Sequence, residues 1–144
     1  MTTLLAQLNE QARGALPDHL GIEVLEASGE RVVARMPVER RVHQPFGVLH
    51  GGASVVLAET VASLGAHFSV AARGMTAVGL EINANHLRAV RSGFVTATAT
   101  PVHQGRTTQV WQIEIVDEQG RGVCVSRCTL AVVPALSPAS AASP

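Results

Sequence analysis

Residues 51–72 read GGASVVLAETVASLGAHFSVAA, and this stretch decides the fold. Its length and its Ala, Leu and Val content predict an α-helix that stops at Arg73-Gly74. Such a helix, apolar on nearly every side, is either surrounded by protein or spans a membrane. Because Glu59 and His67 would be costly inside lipid, we predict a central helix wrapped by a sheet. The apolar residues around its axis are Val55, Val56, Leu57, Val61, Leu64, Phe68 and Val70.

Strand patterns on both sides of this helix supply the sheet. Trp111, Ile113 and Ile115 alternate with polar residues, which is the period-two pattern of a half-buried strand. Residues 117–120, DEQG, indicate a hairpin connection, because the glycine can adopt a positive φ. The predicted strands cover about residues 20–28, 31–38, 75–88, 93–103, 107–116 and 121–133.

The order of the predicted elements indicates a single α+β domain. Three leucines near the start have helical spacing and predict a short amphipathic helix over about residues 3–13. Two strands, the long apolar helix and four more strands follow, which fits an antiparallel sheet curled around the long helix. We assign residues 1–134 to this domain. Residues 135–144 are rich in Pro, Ala and Ser, and we expect a disordered tail there.

Composition narrows the class of function. The 144 residues are 47% hydrophobic and 15% charged, which suggests that apolar surface is buried between subunits. A net charge of zero lacks the basic excess of a nucleic-acid binder, and 3% aromatic residues offer little for stacking on bases. The N-terminal stretch has no basic start followed by a long apolar run. We therefore expect no signal peptide and a cytoplasmic location.

Common catalytic and metal-binding motifs do not occur in the sequence. It contains no HExxH, no paired Cys/His spacing for zinc, no GxSxG and no P-loop, so we expect no metal or cofactor. Cys124 and Cys128 lie four residues apart on one predicted strand, which separates their Cα atoms by about 13 Å. A disulfide cannot span that distance, and we interpret both as inert structural thiols.

Glu59 is the sharpest chemical feature. A carboxylate on an apolar helix would lose hydration, which disfavours its charged form. Glu59, Ser63 and His67 are spaced four apart and form one polar stripe, so Ser63 could hydrogen-bond and orient the Glu59 carboxylate. Two simpler explanations of Glu59 stay open from sequence: a position at a solvated edge, or an ion pair with an arginine.

A second feature is His50-Gly51-Gly52 at the predicted start of the helix. Free N–H groups there, together with the helix dipole, favour developing negative charge, and Gly51 lets a substrate carbonyl approach closely. The alternative is a turn that only leads the chain into the helix. Gly51 and Glu59 are eight residues apart, about 12 Å along the helix axis, so one carbonyl cannot contact both in a single subunit. If both act, the site must combine two subunits of a dimer.

Three blocks of sequence carry a family resemblance. They are residues 43–59 (HQPFGVLHGGASVVLAE), 78–86 (VGLEINANH) and 109–115 (QVWQIEI). Over about residues 15–133 the chain resembles the hotdog-fold thioesterases of the 4-hydroxybenzoyl-CoA type. Within them it is most similar to the 1,4-dihydroxy-2-naphthoyl-CoA thioesterases and the enterobactin-pathway proofreading thioesterases. The resemblance implies hydrolysis of an acyl-CoA, aromatic above all, by a homodimer with interfacial active sites that commonly pairs again into a tetramer.

The resemblance also implies roles for individual residues. Glu59 would be nucleophile or general base, with Ser63 assisting, and Gly51 would donate its N–H to the thioester carbonyl. Gln44 and His50 would position that end of the substrate. Four cationic side chains would contact the CoA, namely those of His86, Arg88, Arg91 and Arg106.

Two other functions stay open from sequence. One is a hotdog dehydratase or hydratase acting on acyl thioesters, and the other is a non-catalytic acyl-CoA-binding module. A carboxylate beside the thioester favours an enzyme, because a pure binder has no need of it.

Overall fold

The structure, a computed structural model, describes residues 3–136. Residues 137–144 of the expected tail lie outside the described residues. The elements, in chain order, are α1 (Leu4–Gln11), α2 (Leu16–His19), β1 (Glu23–Ala27), β2 (Val32–Pro37), a 3₁₀ helix (Arg40–Val42), α3 (Gly51–Val70), a second 3₁₀ helix (Ala71–Arg73), β3 (Met75–His86), β4 (Phe94–Gln104), β5 (Thr108–Asp117) and β6 (Gly122–Pro134).

One antiparallel sheet of six strands, in the order β1-β2-β4-β5-β6-β3, packs against α3. The helix contacts all six strands. This confirms the predicted antiparallel sheet around a long helix. The predicted helix stop is also confirmed, because Gly74 follows the second 3₁₀ helix with a left-handed φ of 70°.

The N-terminal region differs from the prediction in one element. The strand predicted from residue 20 begins only at Glu23, because α2 occupies Leu16–His19. Pro17 lies in the first turn of α2, where its missing N–H costs nothing. Gly21 closes this turn with a φ of 72°. A four-residue helix has too few positions to show a helical period, so the sequence pattern could not reveal it.

Close packing fixes α3 against β5. A Cβ atom on Gly65 would lie 2.5 Å from Cη2 of Trp111, so only glycine lets the helix approach the fully buried indole. A chain of hydrogen bonds runs beside this contact. Trp111 Nε1 donates to Gln109 Oε1, Gln109 Nε2 donates to Ser69 Oγ, and Ser69 Oγ donates to the carbonyl of Ala66, each at 2.8 Å.

One face of α3 stays open in the single protomer. The buried residues of the helix lie on its sheet side, including Leu57, Ala58, Val61 and Ala62. Glu59 and His67 are exposed beside the edge strand β3: a Cβ atom on Gly79 would lie 2.8 Å from Glu59 Oε1, and His67 Nδ1 lies 3.1 Å from Thr76 Oγ1. In the single protomer the sheet covers one side of α3, and the exposed side is free to contact another surface. By length and hydropathy alone, 1.5 on average, the 23 residues Gly51–Arg73 could cross a membrane, but here they form the core helix.

Strand β3 forms one edge of the sheet over 12 residues. Its outer side chains Val78 and Leu80 are 46% and 64% exposed. A β-bulge between Gly79 and Glu81 shifts the pairing with β6 by one residue. Ala77 therefore packs on the core before the bulge and Ile82 packs on it after the bulge.

Candidate active site

The N-terminus of α3 offers a free backbone donor. His50 is the N-cap, and its Nδ1 accepts a hydrogen bond from Gly52 N–H at 2.8 Å. The carbonyl of His50 accepts from the N–H groups of Ala53 and Ser54 at 3.0 and 3.3 Å. Within the described part of the chain, the N–H of Gly51 has no acceptor. The cap therefore occupies Gly52 and leaves Gly51 available to a ligand, with the helix dipole behind it.

We call the space in front of this donor the Gly51 cavity, with a volume of about 420 Å³. Gly51 packs against an imidazole there, since a Cβ atom on it would lie 2.8 Å from Nε2 of His86. Gln44 enters from a tight turn in which its side-chain oxygen accepts from Phe46 N–H. The cavity is lined by Gln44, Leu49, Gly51, Ser54, His86, Leu87, Arg88, Ala89 and Val123.

The resemblance assigns His50 to positioning the thioester end of the substrate. His50 does not line the Gly51 cavity, and its described contact is the helix cap. With Nδ1 accepting from Gly52, the neutral ring carries its proton on Nε2. His50 pairs with the N–H of Gly52. Gly51 is therefore the glycine whose N–H stays without an acceptor in the described chain.

Glu59 opens into a different space, which we call the Glu59 cavity, with a volume of about 490 Å³. The carboxylate is exposed in the single protomer, which differs from the expected loss of hydration. Ser63 shares the cavity, but residues 3–136 contain no hydrogen bond between it and Glu59. The lining residues are Leu16, Pro17, Val56, Glu59, Thr60, Ser63 and Leu64.

Gly79 lies behind the Glu59 carboxylate and was missed by the sequence analysis. A Cβ atom on this residue would lie 2.8 Å from Glu59 Oε1, so the carboxylate occupies space that only glycine leaves empty. The bulge in β3 begins at this same residue. A glycine inside a strand pattern is a signal for a bulge or a close approach, and here both are present.

The two cysteines lie on β6, buried and free, as their spacing predicted. Burial raises the pKa of the Cys128 thiol to about 11, with smaller contributions from the negative charges of Glu59 and Glu81. Burial also raises the pKa of Cys124. Both effects oppose formation of the thiolate, which supports the interpretation of inert structural thiols.

The four predicted CoA contacts do not form one cluster in the protomer. His86 and Arg88 line the Gly51 cavity, whereas Arg91 lines a neighbouring one with Asp117 and Arg121. Arg106 lies in the hairpin between β4 and β5, at the other end of the sheet. Thr108, next to that hairpin, pairs with Ala131 of β6, and Ala131 pairs with Val78 of β3. The hairpin is therefore level with Val78. Val78 is eight residues, or about 26 Å along β3, from His86.

The two halves of the candidate site are separate within one chain. Among the described residues, none lines both the Gly51 and the Glu59 cavity. Both residues belong to α3, as predicted, so the spacing of about 12 Å along the helix holds. Among residues 3–136 there is no group of three His, Cys, Asp or Glu side chains that could hold a metal ion.

Comparisons with known proteins agree with the fold and with the resemblance. The pattern of the thioesterase superfamily matches residues 46–124. The 1,4-dihydroxy-2-naphthoyl-CoA hydrolase of Listeria monocytogenes is 50% identical over 117 residues, which cover 81% of this chain and 94% of that protein. The proofreading thioesterase EntH of Cronobacter turicensis is 47% identical over 129 residues, covering 90% of this chain and 93% of that protein.

A solved structure shows the same architecture. The crystal structure of a thioesterase from Haemophilus influenzae aligns with a TM-score of 0.88 at 51% identity and covers 96% of each chain. The predicted α+β hotdog architecture is thereby confirmed, and an enzyme is favoured over a binding module. The chain belongs to the thioesterase superfamily and is a hotdog-fold thioester hydrolase.

Proposed function

We propose that the protein hydrolyses an aromatic acyl-CoA to the carboxylic acid and free CoA, at sites formed between two subunits. The observation that carries this proposal is the separation of Gly51 and Glu59 into two cavities on one helix. The Gly51 cavity has a backbone donor but no nucleophile, and the Glu59 cavity has a carboxylate but no such donor. Each is half of a hydrolytic site. A second copy supplies the missing half to each.

Two exposed surfaces support the dimer. The open face of α3 presents half-buried Val55 and Val56 beside exposed Glu59. Strand β3 presents a long edge with unpaired backbone groups and the exposed Val78 and Leu80. Such an edge is a template for pairing with another chain. Pairing of two β3 edges would join the sheets and bring two α3 helices side by side, and two such dimers would form the tetramer.

The proposed reaction uses groups already described. Gly51 N–H donates to the thioester oxygen, which develops negative charge as Glu59 of the partner subunit attacks the carbonyl carbon. The C–S bond breaks, CoA leaves as the thiolate and takes up a proton, and a mixed anhydride remains on Glu59. Water hydrolyses the anhydride to the acid and regenerates the carboxylate. In the general-base variant of this route, Glu59 removes a proton from a water that attacks directly.

The remaining parts of the proposal concern the substrate. An aromatic acyl group is supported by the 1,4-dihydroxy-2-naphthoyl-CoA hydrolase among the relatives. Gln44 and His50 position the thioester end, and Ser63 assists the carboxylate. His86 and Arg88 hold the CoA beside the Gly51 cavity. Arg91, and Arg106 of the partner subunit, contact the CoA at the outer rim of the site.

The proposed reaction needs no metal or cofactor. We place it in the cytoplasm.

Thiol release from a panel of acyl-CoAs tests the proposal. We expect turnover of benzoyl-CoA and related aryl thioesters, and no hydration of an enoyl-CoA. Glu59→Ala should lower kcat at least about a hundredfold while the oligomer stays intact, because essential nucleophiles and bases contribute that much. Glu30→Ala is the matched control, since Glu30 is exposed and makes no ion pair within the described chain.

Two results would contradict the assignment. A Glu59→Ala variant that keeps more than about a tenth of the wild-type rate would exclude Glu59 as the essential carboxylate. A monomer in solution that hydrolyses aryl-CoA at full rate would exclude the interfacial site. Single-turnover hydrolysis in ¹⁸O-labelled water separates the two routes, because only the anhydride route incorporates label into Glu59.

A further inference from the structure

A further cavity lies between α1, β1 and α3, next to the Glu59 cavity. We call it the α1 pocket, and its volume is about 220 Å³. Its apolar lining includes Leu8 of α1, Ile22, Val24 of β1 and Leu64 of α3. Three residues line both this pocket and the Glu59 cavity, namely Pro17, Thr60 and Leu64. The two spaces are therefore neighbours across a single ridge of side chains.

Two of the three polar side chains that line the α1 pocket, those of Asn9 and Thr60, already have partners, and the third belongs to exposed Gln11. Asn9 Nδ2 donates to the carbonyl of Val24 at 3.1 Å, and Asn9 Oδ1 accepts from the N–H of Val24 at 2.9 Å. Thr60 Oγ1 donates to the carbonyl of Val56 at 2.7 Å. With these groups occupied, the pocket offers mainly apolar surface to a ligand. These two hydrogen bonds of Asn9 also hold α1 against β1, so Leu8 keeps its position beside the pocket.

We propose that the α1 pocket receives the far end of an apolar acyl group whose thioester lies at Glu59. This inference rests on the proposed function and adds the class of substrate: acyl groups that extend beyond a single aromatic ring. An apolar cavity of about 150 Å³ is enough to bind benzene, so the α1 pocket has room for a hydrocarbon segment. Helix α1 thereby sets how long an acyl group the enzyme accepts.

The chain-length dependence of hydrolysis follows from this geometry. Each methylene that moves from water into the pocket should raise kcat/KM about fourfold, since burying one is worth about 0.8 kcal/mol. We expect kcat/KM to rise from butanoyl-CoA to octanoyl-CoA by at least about tenfold. Benzoyl-CoA reports on the Glu59 cavity alone, because one ring does not reach beyond the shared ridge.

Two substitutions at Leu8 alter the pocket in opposite directions. Leu8→Phe fills it and should lower the ratio of octanoyl-CoA to benzoyl-CoA kcat/KM about tenfold. Leu8→Ala enlarges it and should move the preferred chain length from octanoyl toward decanoyl. Leu4→Phe is the control, because Leu4 lies on the same helix, is 50% exposed and does not line the pocket. A folding defect would lower all rates in both variants and could not produce opposite shifts.

The outcomes separate this inference from the proposed function. Benzoyl-CoA turnover together with a rising chain-length series and opposite effects of the two Leu8 variants supports it. Benzoyl-CoA turnover with a flat series, or with equal effects of Leu4→Phe and Leu8→Phe on the ratio, overturns the α1 pocket and leaves the proposed function standing. Absence of thiol release from every thioester overturns both.

Discussion

Gly79→Ala tests whether the sheet positions the Glu59 carboxylate. The added Cβ would lie 2.8 Å from Glu59 Oε1, whereas ordinary contacts begin at 3.4 Å, so the carboxylate must retreat by about 0.6 Å. Because the end of a flexible side chain moves easily, the fold should tolerate the change. A displacement of 1 Å at a reacting group can cost about a hundredfold. We therefore expect kcat for benzoyl-CoA to fall roughly tenfold with KM little changed.

The assay is steady-state thiol release, with thermal unfolding and size-exclusion chromatography on the same preparation. Gly122→Ala is the control: its Cβ would lie 3.7 Å from Cδ1 of Leu87, an ordinary contact, and it also lies in a strand. A kcat within about twofold of wild type in Gly79→Ala would refute the reasoning, since the carboxylate would then act from another position. A loss of kcat that accompanies loss of the dimer would assign Gly79 to assembly instead.

Two further predictions concern the core. Gln109→Ala should lower the free energy of unfolding by about 1–3 kcal/mol, because it leaves the buried N–H of Trp111 without an acceptor. Urea unfolding measures this free energy, with Gln112→Ala as the control because Gln112 is half-buried. Equal losses in the two variants would contradict the prediction. Cys128 should resist iodoacetamide at pH 8 in the folded protein, because with a pKa of about 11 only about one thiol in a thousand is ionised. The rate of alkylation should rise as the pH approaches 11. If Cys128 in the folded protein reacts at pH 8 as fast as in denaturant, then the thiol is not buried and its pKa is not raised.

The sequence predicted the fold wherever a pattern extends over many residues. The 20 residues of α3 and the alternation of Trp111, Ile113 and Ile115 have clear periods, and both elements are where they were expected. Short or irregular features were missed. Helix α2 is a single turn, and the bulge at Gly79 depends on pairing with β6, which is not visible in β3 alone.

The sequence proposes the residues of the candidate site, but it does not show the environment of each side chain. Glu59 was expected to be dehydrated because apolar residues surround it along the helix. Exposure, however, depends on how the sheet is placed around α3, and Glu59 lies beside its edge strand β3, where the carboxylate stays open to solvent in the single protomer. Strand register, which the sequence order does not show, separates His86 from Arg106 within one protomer, so a shared role in CoA binding stays a prediction about the dimer.

Because α3 carries both Gly51 and Glu59, genetic complementation becomes possible in the proposed dimer. A subunit that lacks the Gly51 donor still lends its carboxylate, and a subunit that lacks Glu59 still lends its donor. When the two defective chains are expressed together, a mixed pair combines both lesions in one site and leaves the other site whole. Each mixed pair would then keep about half the activity of a normal pair, and random pairing of the two chains would restore roughly a quarter in total, whereas neither allele alone would restore any.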